Sequence, residues 1–131
     1  MAQAWLGAVL ALVILNAACA PAPEGPDPAV LAVVAARSPA EFQEGKGLYA
    51  AYCATCHGEN GGGSVVGPPL VHRIYRPSHH ADAAFLFAVK NGVRAHHWRF
   101  GDMAPVPGLD VAANGLIVAY VRWLQVESGI E

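Results

Sequence analysis

Cys53 and Cys56 stand two residues apart in the run Cys-Ala-Thr-Cys-His, with His57 directly behind the second thiol. Two thiols at that gap, on a helix end, reach the two vinyl groups along one edge of a porphyrin. The adjacent histidine then lies under the iron, and Cys-x-x-Cys-His is the attachment signature of a c-type haem. Competing uses of a Cys-x-x-Cys pair ask for residues that are missing. A zinc site needs two more ligands, usually a second cysteine pair, and the remaining cysteine, Cys19, stands alone. A thioredoxin-like dithiol follows a strand in a βαβ unit, whereas a capped helix is expected ahead of Cys53.

The sixth position on the iron separates two chemistries. Electron carriers close it with a second strong ligand; oxygen and peroxide chemistry needs it open. Met103 is the sole methionine besides Met1 and lies 46 residues beyond His57 (103 − 57), in a proline-rich loop. A methionine ligand favours ferrous iron and raises the potential, so Met103 is the expected partner of His57. Its other use, filling a gap in a core, stays open. His72, His79, His80, His96 and His97 are rival ligands, most of them expected to be solvated or structural.

Helices must position these groups. Ser38-Pro39-Ala40-Glu41 reads as a helix start, with Ser38 as cap, Pro39 at the first helical position and Glu41 completing a capping box. That helix is expected to reach about Tyr52. A second helix over Ala81–Val93 presents Phe85, Leu86 and Val89, with Asp82 as cap and Asn91-Gly92 as its end. A last helix runs from Val111 to about Val126, capped by Asp110, with Leu116, Ile117, Tyr120, Val121 and Leu124 at helical spacing. Long Gly/Pro loops join them, and such loops in a small domain usually wrap something.

The 131 residues allow one domain and are too few for two ordinary ones. A net charge of −2 gives no electrostatic reason to expect a nucleic-acid partner. Residues 1–20 form an apolar signal peptide or membrane anchor, although no basic residue precedes Arg37. Leu15-Asn16-Ala17-Ala18-Cys19 resembles a bacterial lipoprotein processing site, making Cys19 a candidate for lipidation. An uncleaved anchor and simple secretion are the alternatives, and each puts the rest of the chain outside the cytoplasm. Residues 21–37 read as a Pro/Ala-rich linker, with a short helix at Ala29–Arg37 acting as stalk, flap or docking segment. The domain proper is expected over 38–131.

From Ser38 onward the chain resembles a monohaem class I cytochrome c. The carrying motifs are CATCH; Gly45 and Tyr49, eight and four residues before Cys53; Ile117 and Tyr120 in LIVAYVRWL; GPPL at Gly67–Leu70; and FGDMAPVPGL around Met103. The resemblance implies an all-α class I cytochrome c fold, three to five helices around one covalently attached haem c. It also implies that the N- and C-terminal helices cross at Gly45, and that the Pro68 carbonyl accepts the N–H of His57. Arg76 falls where some members bind a propionate. Trp98 either donates its indole N–H to a propionate or shields the haem edge.

The activity implied is one-electron transfer with His57 and Met103 as axial ligands. A haem enzyme or a gas or redox sensor with a displaceable sixth ligand is the alternative. The location implied is the periplasmic or outer face of a bacterial cytoplasmic membrane, held there by lipid or anchor. The partner implied is a membrane-bound redox complex: a quinol-oxidising complex, a terminal oxidase or a photosynthetic reaction centre. With only Lys46 and Lys90 in the domain, docking through a lysine ring is not expected. His96 and His97 have three open roles: tuning the potential with pH, contacting a partner, or simply decorating a polar loop.

Overall fold

Asp110 opens the longest helix as expected. Its Oδ1 accepts the Ala113 N–H at 2.8 Å, satisfying one of the unpaired amides of the first turn. The computed structural model describes residues 25–131; the signal or anchor segment, Cys19 and the first prolines of the linker lie outside the described residues. Five α-helices follow in order: α1 (Pro28–Ala36), α2 (Gln43–Tyr52), α3 (Ala54–His57), α4 (Asp82–Asn91) and α5 (Val111–Glu127). Short 3-10 turns lie at Ala40–Phe42, Glu59–Gly61 and Arg73–Tyr75. Among the described residues there is no strand, only an isolated antiparallel pairing of Val93 with Met103, so the all-α expectation holds. No described helix is long and apolar enough to cross a membrane.

α5 is the spine. It buries Ile117, Val118, Tyr120, Val121 and Leu124, and α2 crosses it at Gly45. A Cβ at Gly45 would come within 2.8 Å of the Leu116 carbonyl carbon, so glycine is what lets the two backbones meet. One turn on, the Tyr49 and Tyr120 rings pack at 5.9 Å. Gln125 is buried on the same helix with its polar atoms paired: Nε2 donates to the Leu70 carbonyl at 2.8 Å, and Oε1 accepts from Arg122 at 2.7 Å. That pairing offsets the loss of water around a buried amide and fastens the 70–75 loop to α5.

Three expectations change. Ser38 does not cap a helix: its Oγ is buried without a hydrogen-bond partner, Pro39 precedes the 3-10 turn, and regular helix starts only at Gln43. Asp82 is not a cap either. It is the first residue of α4, behind Ala81, and its carboxylate is held by Arg122 at 2.7 Å. Finally, residues 28–36 are not linker. Asp27 caps α1 through Ala29 N–H at 2.7 Å, and Leu31, Val34 and Ala35 join the core beside Tyr49 and Leu124. Leu31 is 0% exposed, a burial that contributes about 1.5–3 kcal/mol.

Candidate functional site

The cysteine–histidine turn grows directly out of α2. Cys53 N–H donates to the Tyr49 carbonyl at 2.8 Å, and His57 N–H reaches back to the Cys53 carbonyl at 2.9 Å, winding α3 as one more turn. Both thiols are free. Cys56 is exposed, whereas Cys53 is half-buried and its thiol is pushed up to about 11, first by burial and then by the neighbouring Cys56. Tyr49 reinforces the turn through its hydroxyl, which donates to the Gly58 carbonyl at 2.9 Å.

His57 Nδ1 lies 2.9 Å from the Pro68 carbonyl oxygen. A carbonyl only accepts, so Nδ1 carries the proton and Nε2 keeps its lone pair. Burial, opposed by that hydrogen bond, holds the imidazole below its usual pKa, which keeps it in the neutral form a metal ligand needs. An oriented ring with its second nitrogen already bonded is the usual state of a metal-binding histidine.

His57, Cys53 and Met103 line one cavity of about 550 Å³, walled mainly by apolar side chains including Phe85, Val89 and Ile117. Its size suits an organic cofactor. Met103 is fixed by its backbone: its N–H and carbonyl exchange hydrogen bonds with Val93, each 2.9 Å. Gly92 makes room for this pairing. It has φ +74°, and a Cβ there would run into the Met103 carbonyl and lie 3.1 Å from Pro105. Cys53, one neutral imidazole and one thioether around a single apolar cavity, with the exposed Cys56 thiol one turn along the same short helix, fit a covalently held haem.

Other expected residues divide. Pro68 lies where the resemblance put it. Trp98 lines the cavity, and its single N–H donates to the Tyr75 hydroxyl at 3.1 Å. Arg76 is not brought to the cavity. Its guanidinium bonds Ser78 Oγ and the Arg73 carbonyl, each at 2.9 Å. His80, His96 and His97 line the cavity, while His72 and His79 do not. Tyr75 and Phe85 also line it. Tyr75 carried no motif and could not be found by spacing; Phe85 had only its place on the apolar face of α4.

The family model described as Cytochrome c matches residues 42–125. No curated protein matches, and no solved structure matches.

Proposed function

This chain belongs to the cytochrome c family, whose members transfer electrons through covalently bound haem, and from that premise we propose that it is a one-electron carrier with a single haem c. Cys53 and Cys56 would hold the group by thioether bonds, with His57 and Met103 as its axial ligands. When bound, the haem supplies the ferric–ferrous couple. The chain does the rest. The Pro68 carbonyl keeps the His57 ring in one orientation and one tautomer. The Val93 pairing holds the Met103 backbone in one place, so that little need rearrange when the charge changes. The cavity walls are mainly apolar, a low-dielectric setting for the bound group. The observation that carries this reading is that His57, its Nδ1 already bonded, and Met103 line the same cavity.

The docking surface in this reading is apolar and weakly dependent on salt. Val65 and Val66 are exposed beside Cys56, in a loop tied to it by the Ser64 Oγ–Cys56 carbonyl hydrogen bond of 2.6 Å. Lys46 is engaged with the Ala35 carbonyl at 2.7 Å, which weakens any lysine ring further. The chain acts on the periplasmic face of the cytoplasmic membrane, tethered through lipid on Cys19. Its partner is a membrane-bound redox complex of the quinol-oxidising, terminal-oxidase or reaction-centre kind, and the exposed Val30 and Val33 on the outer side of α1 support a lasting contact with it.

The ferric absorption spectrum tests the ligand assignment. Low-spin iron with a weak red methionine–iron band is expected. High-spin iron that readily takes cyanide would overturn it in favour of a haem enzyme or sensor. Low-spin iron without the red band would transfer the sixth position to a histidine lining the cavity. Intact mass spectrometry of the membrane fraction tests the tether: one haem per chain and acyl chains on Cys19 are expected, and an unmodified Met1 terminus would defeat it.

A further inference from the structure

Four imidazoles that the ligand assignment leaves unused gather near the cavity rim. His79 and His80 come from the loop before α4; His96 and His97 come from the loop before Met103. One ring nitrogen from each of His79, His80 and His97 lies within 4.8 Å of the other two. The His96 ring centre is 4.3 Å from that of His97.

Spacing and tautomers give this cluster a chemistry. His79 Nε2 and His97 Nε2 are 3.3 Å apart. Nitrogens bound at about 2.0–2.1 Å to one tetrahedral cation stand about 3.3–3.4 Å from each other, whereas neighbours in a square plane stand about 2.9 Å apart at the same bond length. As a direct hydrogen bond 3.3 Å is long. His80 Nδ1 donates to the Ile74 carbonyl at 2.7 Å, which leaves its Nε2 lone pair free; outer hydrogen bonds of this kind orient histidines in metal sites. The two loops are also held independently of any ion. Arg122 donates to the His80 carbonyl, and Asp102 Oδ1 accepts the Ala95 N–H at 2.8 Å.

All the nitrogens are imidazole, with no carboxylate or thiolate among the three. Such a set takes zinc, copper or nickel and not magnesium or calcium, and of these the 3.3 Å separation of His79 and His97 matches tetrahedral zinc. We propose that His79, His80 and His97 form a zinc site at the cavity rim, with the fourth position left to water. His80 and His97 also line the cavity that holds His57 and Met103. The site therefore carries a second consequence, which rests on the electron-carrier reading. A dication there favours the more negative, ferrous form of the neighbouring group and raises its potential. By linkage, the reduced protein then binds zinc more tightly than the oxidised one.

Calorimetric titration of Zn²⁺ into the tag-free holoprotein is the test. One ion per chain, bound at micromolar concentration or below, is expected, with affinity falling at least tenfold in His79→Asn and in His97→Asn. Binding that is absent, weaker than micromolar, or as tight in either variant as in the parent would overturn the site. Calorimetry reads the imidazoles and not the iron, so a failure here alongside a low-spin spectrum overturns the zinc site alone. Saturating zinc should raise the midpoint potential, reversibly on adding chelator. Stoichiometric zinc with an unmoved potential would overturn the coupling.

Discussion

Gly45 of α2 rests its bare Cα on the Leu116 carbonyl of α5: a Cβ added there would lie 2.8 Å from the carbonyl carbon and 3.2 Å from Tyr120 Cβ. The obstructing atoms are backbone, so the helices would have to separate and loosen the Tyr49–Tyr120 contact. Gly45→Ala is therefore expected to cost about 1–3 kcal/mol as overpacking. Gly47, two residues on, faces open space with nothing within 4 Å, and Gly47→Ala should gain about 0.5–1 kcal/mol from helix propensity. Denaturant titration of the pair checks the opposite signs.

Arg122 clamps the loop that precedes α4. Its Nε pairs with Asp82 at 2.7 Å, its Nη1 donates to Gln125 and to the Tyr75 carbonyl, its Nη2 donates to the His80 carbonyl, and its guanidinium lies 4.8 Å over the Phe85 ring. A lysine cannot reproduce that fork. Arg122→Lys should lose about 1.5–3 kcal/mol, the scale of hydrogen bonds to a charged group. Asp82 is 66% exposed, so Asp82→Asn should lose no more than about 1 kcal/mol. Chemical denaturation of both variants separates the backbone clamp from the surface ion pair.

These two sites mark what the sequence could and could not disclose. Gly45, Tyr49 and the cysteine–histidine turn were legible because their chemistry is local and their spacing is specific. Asp110 and Gly92 were legible because helix ends have short-range signals. Asp82 and Ser38 carried the same kind of signal and misled. Tertiary packing outweighed capping: Arg122, forty residues away, took the Asp82 carboxylate, and Ser38 lies buried next to α1 with its hydroxyl unpaired. α1 itself looked like linker because its near-uniform apolar run shows no face, and only the core around Tyr49 and Leu124 selects one. The meeting of His79 with His97 was invisible for a related reason. Two loops eighteen residues apart are brought together by α4 and by the Val93–Met103 pairing, and no spacing rule reports that.

His72 should make stability depend on pH on the acid side. Its Nδ1 accepts the Ile74 N–H at 3.1 Å, which requires that nitrogen unprotonated. Burial foremost, and then Arg73, hold its pKa below the ordinary 6.5. A depressed histidine binds its proton first in the unfolded chain, so its contribution is full above pH 6.5 and is lost as pH falls below it. Melting temperatures from pH 7 down to pH 5 should decline. His72→Asn, whose side-chain oxygen can accept the same N–H, should show a shallower decline. An unchanged slope would remove His72 from the acid response.

Met103→Leu separates the two uses of a methionine. The exchange nearly conserves volume, so as packing alone it costs less than about 1.5 kcal/mol and leaves the spectrum as it was. The backbone pairing with Val93 does not depend on the side chain, so the loop should keep its place. If the thioether is the sixth ligand, its loss opens the iron. Ferric haem turns high-spin, the red band disappears, and ferrous haem binds carbon monoxide. The potential should also fall by on the order of 0.1 V, because the ligand that favoured ferrous iron is gone. Absorption spectra with a potentiometric titration of this one variant check all of these together. A spectrum and potential identical to those of the parent would return Met103 to the role of core filler.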